Sequence, residues 1–218
     1  TWREKVDEVV DNYSPDVLYF DGRTFLIREE DRYKMAEHYY NHTGPNAGII
    51  TYKDTDFPAD IGVYDTMQGN CADAQHCVGQ CDNRLEETPT WSIVQNAKYR
   101  SATAIIHSLC DIVAKNGNLL LNVGPYADGS FHPDAVKELY AIGDWLAVNG
   151  EAIYESRPYK VAMEGPTAMQ ARSYDTKLVE EQLKTGIEAN MAKKKILSSQ
   201  DFRFTTRGGF LYAIAMGW

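Results

Sequence analysis

From Ala97 to Asn116 apolar side chains recur at helical spacing, and an apolar run follows directly. Ala102, Ile105, Ile106, Leu109, Ile112 and Val113 make one stripe, Gly117 supplies a left-handed cap, and Asn118 to Val123 reads as a fully buried strand. A helix leading straight into a strand buried on both faces belongs to a sheet covered by helices, which is the parallel α/β arrangement. Pro133 then opens another helix at a position where its missing N–H costs nothing; Val136, Leu139, Ile142 and Leu146 face inward, and Gly150 ends it.

The same rhythm runs through the first fifty residues. Trp2, Val6, Val9, Val10 and Tyr13 fall at helical spacing until Ser14-Pro15 stops them. A strand, Asp16-Val17-Leu18-Tyr19-Phe20-Asp21, follows and turns outward at Gly22. A second helix is expected from about Glu29 to Asn41, with Met35, Ala36, Tyr39 and Tyr40 inward, and a short strand from Ala47 to Tyr52. Residues 54 to 92 carry no period and read as a long functional loop. Beyond Pro158 the pattern becomes all-β: strands are expected at Ala168 to Tyr174 and Phe202 to Thr206, then a hairpin turn at Arg207-Gly208-Gly209 before Phe210 to Ala215. The charged stretch 175–199 reads as an exposed helical insertion. A complete barrel needs eight strands and about 250 residues, so four α/β units make only part of one.

Composition narrows function by exclusion. A net charge of −9 over 218 residues repels phosphate backbones and anionic headgroups, which disfavours nucleic acid and membrane surfaces as partners. No apolar run approaches the roughly 18 residues of a membrane span, and no basic-then-apolar leader stands at the amino end. The chain opens at Thr1 rather than Met, and the expectation is that it is processed or cut from something longer. Cys71, Cys77 and Cys81 cluster with His76, but the spacing suits zinc poorly; a local disulfide or free thiols are preferred, and Cys110 lies on a helix. His38 and His42 share a helix face without a third ligand and read as solvated side chains. Asn12-Tyr13-Ser14 and Asn41-His42-Thr43 are formal glycosylation acceptors.

Asp21 draws attention because a carboxylate closing an apolar strand lies at the rim of a sheet, where α/β barrels place their active sites. Taken alone it reads equally as the start of a turn or a helix cap. Its company is Asn118-Leu119-Leu120-Leu121-Asn122-Val123-Gly124-Pro125, Asp128-Gly129, Ile142-Gly143-Asp144-Trp145-Leu146, Asn149-Gly150-Glu151-Ala152-Ile153-Tyr154 and Asp201-Phe202-Arg203-Phe204-Thr205-Thr206. In that order these segments resemble the α-L-fucosidase family of glycoside hydrolases, family 29, along the whole chain except about 66–96 and 175–199. The resemblance implies an α/β fold: the carboxyl-terminal half of a (β/α)8 TIM-like barrel over 1–157, then a truncated β-sandwich over 158–218. It further implies retaining hydrolysis of terminal α-linked L-fucose from an oligosaccharide or glycoconjugate, with no cofactor or metal, in a secreted, periplasmic or lysosomal setting.

Retention needs two carboxyl groups about 5–5.5 Å apart, one attacking the anomeric carbon and one exchanging protons with the leaving oxygen and then water. The resemblance carries the nucleophile onto Asp21. For the acid/base it points first to Asp65 in Val63-Tyr64-Asp65-Thr66 and second to Glu87 in Glu86-Glu87-Thr88-Pro89, which reads equally as a solvated loop charge. Tyr19 and Trp91 offer aromatic surface to the sugar, and Tyr99 survives from a family Ser-Trp-Gly-Tyr segment. The chain departs from the family at Met67-Gln68-Gly69, where many relatives read Glu-Arg-Gly, and it lacks the early paired-His motif. Two other readings therefore stand beside the enzyme: a carbohydrate-binding remnant without turnover, and a structural module whose open strand edges invite a second copy as a homo-oligomer.

Overall fold

The computed structural model describes residues 1–44, 47–53, 57–58, 60–65, 78–88, 90–166 and 197–217. Those up to residue 83 form one compact unit and those from 84 onward a second. Among the described residues no helix is long and apolar enough to cross a membrane.

In the first unit two helices cover a parallel sheet. Helix α1 (Trp2–Tyr13) starts on a capping box in which Thr1 and Glu4 satisfy each other's backbone donors, and it stops where Ser14 turns left-handed at φ 44. Strand β1 (Val17–Phe20) follows, then α2 (Glu29–Thr43), whose first turn carries Glu29, Glu30 and Asp31 against the positive end of the helix dipole. Strands β2 (Ile49–Tyr52), β3 (Val63–Asp65) and β4 (Gly79–Arg84) pair in that order, all parallel. Val10, Leu18, Met35, Ala36, Tyr39, Ile50, Tyr52 and Phe57 make the core between helices and sheet. Tyr39 is fully buried yet satisfied: its hydroxyl donates to the Pro15 carbonyl and accepts from the Ile49 N–H.

The expected loop over 54–92 is corrected here, because it contains β3 and β4. Neither strand has an apolar signature. Asp65, Asp82, Asn83 and Arg84 are buried all the same, so these strands are held by backbone pairing and buried polar contacts. His38 and His42 also do more than face solvent: His38 Nε2 lies 2.8 Å from Asp11 and His42 Nε2 lies 2.9 Å from Ser14 Oγ, tying α2 to α1.

In the second unit α3 (Ala102–Ala114) begins at an N-cap, Ser101, that accepts from the Ala104 N–H, five residues later than the expected start at Ala97. Its left-handed residue is Asn116, at φ 69, and not Gly117, which opens β5 (Gly117–Asn122). Gly117 is there for closeness, since a Cβ would lie 2.8 Å from Ile112 Cγ2. At the end of β5 the Asn122 carbonyl accepts from the Leu85 N–H. Strand β5 is not fully buried as expected: burial alternates along it, and Leu120 is 47% exposed, because among the described residues only one face is covered. Leu119 and Leu121 pack with Leu85, Ile105, Ala135 and Ile142. Helix α4 (Pro133–Asn149) starts at His132, whose Nδ1 accepts from the Asp134 N–H, and runs into a 3-10 turn at Gly150–Ala152.

The chain then forms an antiparallel sheet in the order β6-β7-β8: β6 (Arg157–Glu164), β7 (Phe202–Arg207) and β8 (Phe210–Ala215). The β7–β8 hairpin agrees with expectation, with Gly208 and Gly209 both at positive φ. Strand β6 was not expected, and the strand expected at 168–174 lies outside the described residues, as does the helical insertion at 175–199 except its last three residues. The architecture is thus part of a (β/α) barrel with an antiparallel sheet after it.

Candidate active site

Strand register builds the site in the first unit. Phe20 pairs with Tyr52 and Tyr52 with Tyr64, so the next residue on each strand, Asp21, Lys53 and Asp65, falls in one row at the carboxyl ends of β1, β2 and β3. Phe20 and Tyr64 pack toward the helices. The period of two then sends Asp21, Lys53 and Asp65 to the other face, where Tyr19 also lies. Asp65 pairs with Gln80, which brings Asp82 to the same end. Gly22, at φ 84, lets the chain leave β1 immediately after Asp21.

The charges form a chain. Lys53 Nζ lies 2.7 Å from Asp21 Oδ1 and 2.8 Å from Asp82 Oδ2, and 5.7 Å from the centroid of the Tyr19 ring. Asp65 sits behind it, 1% exposed, accepting from Gln80 Nε2 at 2.7 Å and from the Asp82 N–H at 3.2 Å. Asp21 is the exposed end, with its side chain 76% accessible, against 12% for Lys53 and 7% for Asp82. Burial pulls the Lys53 ammonium down, but the hydrogen bonds it donates to Asp21, Asp82 and Tyr19 outweigh this and hold Lys53 above its ordinary value. Burial pushes Asp82 up, opposed by Lys53 and reinforced by the nearby Asp65 charge. The Tyr19 hydroxyl is pushed up to about 12, first by burial, so it remains a neutral donor. Such an arrangement can present one fixed, solvent-facing carboxylate beside a cation.

Asp21, Asp65 and Tyr19 are therefore brought together by register. The other expected residues belong to the second unit. There Glu87 is exposed, its N–H donating to the Lys98 carbonyl, while its neighbour Glu86 is fully buried and accepts from the Gly124 N–H at 2.9 Å. Trp91 is partly exposed with the Arg84 guanidinium 5.6 Å from its ring centroid, and its carbonyl accepts from Asn122 Nδ2. The Tyr99 ring packs tilted against His132, centroids 5.2 Å apart, and burial followed by the Glu86 charge raises its hydroxyl.

Sequence reasoning missed Lys53, Gln80, Asp82 and Glu86. Lys53 was findable by the rule that singled out Asp21, since it directly follows an apolar strand; Asp82 and Gln80 carry no such signal. Cys81 and Cys110 are buried, and Cys71, His76 and Cys77 lie outside the described residues. Among the described residues no group of three or more His, Cys, Asp and Glu side chains is arranged to hold a metal ion.

The family model for alpha-L-fucosidase matches residues 1–151. Tissue alpha-L-fucosidase of Bos taurus is 30% identical over 175 residues, covering 72% of this chain and 35% of that protein. The Homo sapiens protein of the same name is 28% identical over 178 residues, covering 73% and 36%. Among solved structures an alpha-L-fucosidase superposes with TM-score 0.72 at 21% identity, covering 98% of this chain and 41% of that one. The Thermotoga maritima alpha-fucosidase gives 0.67, also at 21%, covering 97% and 40%. The chain spans about a third of the length of the curated relatives it matches.

Proposed function

This chain belongs to the alpha-L-fucosidase family, and we propose that it is a glycoside hydrolase component that removes terminal α-linked L-fucose with retention of configuration. The observation that carries this reading is the place of Asp21: the exposed carboxylate at the end of β1, in one row with Lys53 and Asp65. In the first step an oxygen of Asp21 bonds to the anomeric carbon as the bond to the leaving oxygen breaks, and a carboxylic acid gives that oxygen its proton. In the second step the same group takes a proton from water. The water oxygen bonds to the anomeric carbon, releasing free fucose and the Asp21 carboxylate.

Asp65 is the proposed acid/base, favoured by its place in the row, and the exposed Glu87 is the alternative. Tyr19, Trp91 and Tyr99 are the proposed sugar contacts. Strands β6–β8 are proposed as the start of a β-sandwich after a catalytic part ending near residue 157. The substrate class is a fucosylated oligosaccharide or glycoconjugate, met in a secreted, periplasmic or lysosomal setting.

Hydrolysis of an activated aryl α-L-fucoside by the purified chain and by its Asp21→Asn form tests the reading. Loss of turnover in the variant supports it, and equal turnover in both removes Asp21 from the chemistry. For the acid/base, Asp65→Ala should slow substrates with poor leaving groups far more than activated ones, since only the former need the proton. A uniform loss on both counts against Asp65.

A further inference from the structure

We propose that Lys53 is the positioning residue of Asp21, and that buried Asp82 is the anchor through which Lys53 holds it. The inference rests on the reading of Asp21 as nucleophile. A nucleophile must be held within fractions of an ångström of its attacking position, and residues that do this have their own side chains locked by packing and ion pairs. Asp21 lacks such support of its own, being exposed and placed at the start of a turn. Lys53 supplies it, because its ammonium is nearly buried, fixed from behind by Asp82 Oδ2 and bounded by the Tyr19 ring. The contact is made to Oδ1 of Asp21, which leaves Oδ2 as the oxygen that attacks.

Asp82 fits the anchor and not the second carboxylate of the reaction. The two legs of the bridge, 2.7 and 2.8 Å, put Asp21 Oδ1 and Asp82 Oδ2 no more than about 5.5 Å apart, close to the spacing of a retaining pair. That space is filled by the ammonium, so a glycosidic oxygen has no room between them. Lys53 also acts on the charge of the reaction. As Asp21 becomes an ester its Oδ1 loses negative charge, and as the ester is hydrolysed the charge returns to an oxygen already paired with a cation.

Side-chain NMR tests the link without relying on turnover. The Lys53 ammonium should give a slowly exchanging 1H–15N signal, and Asp21→Asn, a substitution at an exposed side chain, should shift it. The Asp21 carboxyl 13C signal should shift in Lys53→Met and return toward its original position in Lys53→Arg. If Asp21→Asn leaves the Lys53 signal in place, the proposal is overturned, even if Lys53→Met fails to fold. In hydrolysis of the aryl fucoside, Lys53→Met should lower kcat about 100-fold with KM nearly unchanged, the scale of a nucleophile displaced by about 1 Å. Full kcat in Lys53→Met with none in Asp21→Asn would overturn the positioning role and leave the nucleophile standing. Full kcat in Asp21→Asn would overturn the nucleophile reading, and the positioning role with it.

Discussion

Arg203 donates from Nε to Asp111 Oδ1 at 2.6 Å across 92 residues of sequence, joining the middle strand of the antiparallel sheet to helix α3. The second Asp111 oxygen accepts from Lys115 Nζ at 2.7 Å, and Arg203 Nη1 donates to the Phe202 carbonyl. All three charged groups are almost wholly buried. Around them Cys110, Ile153 and Met216 form an apolar cluster with Leu109, Val113, Trp145 and Ile214, so the ions share one closed interior within the second unit.

Removing the shared anion should therefore be severe. Asp111→Ala leaves two buried cations without their anion and should cost about 3–5 kcal/mol, whereas replacing Asp111, Lys115 and Arg203 together by Leu, Met and Met should be close to neutral. Urea unfolding of both variants provides the check. A single-variant loss under about 1 kcal/mol would mean that water reaches the cluster.

Gly124→Ala should destabilise by about 1–3 kcal/mol, the range for forcing extra volume into a packed site. The new Cβ would stand 2.5 Å from Ile93 N and 2.9 Å from Ser92 C, and both are backbone atoms that cannot swing away. The displacement also threatens the Gly124 N–H donated to buried Glu86. Thermal unfolding measures this, and an unchanged midpoint would contradict the close approach.

Stability should fall on acidification in part through His107. Burial holds its imidazole below the ordinary histidine value of 6.5, with the Arg203 charge acting the same way against a hydrogen bond that the ring donates to the Met216 backbone. The unfolded chain then takes up the proton first. The His107 contribution is present above about pH 6.5 and lost as pH falls through the lower folded value. Urea midpoints at pH 7.5 and 5.5 should lie further apart in the wild type than in His107→Gln; equal separations would exclude this linkage.

Cys110 should resist alkylation while the chain is folded. Burial pushes its thiol up to about 12, so almost no reactive thiolate exists near pH 8. Peptide mapping after iodoacetamide should find Cys110 unmodified in the native protein and modified after unfolding. Labelling at equal rates in both states would show that the α3 interior opens freely.

The elements with an apolar period were legible in the sequence. The stripes of α1, α3 and α4, the β1 strand and the β7–β8 hairpin each carry their repeat in their own residues, because a helix or strand that buries one face must space its apolar side chains to match. Asp21 was legible for a related reason, as a carboxylate immediately after such a strand. Local pattern went astray where the deciding contact is distant: the start of α3 depends on the Ser101 cap, and Asn116 took the left-handed position expected of Gly117.

What only the tertiary structure decided is the polar half of the interior. Strands β3 and β4 read as loop because Asp65, Gln80, Asp82 and Arg84 have no apolar alternation, and the burial of Asp65, Asp82 and Arg84 becomes tolerable only when parallel pairing brings donors and acceptors together. The Lys53–Asp82 and Arg203–Asp111 contacts are of the same kind. Hydrophobic burial leaves a periodic trace in the sequence, since each residue faces the core independently. A buried ion pair leaves none, since either partner alone would be too costly to bury, and only the fold determines which partner it meets.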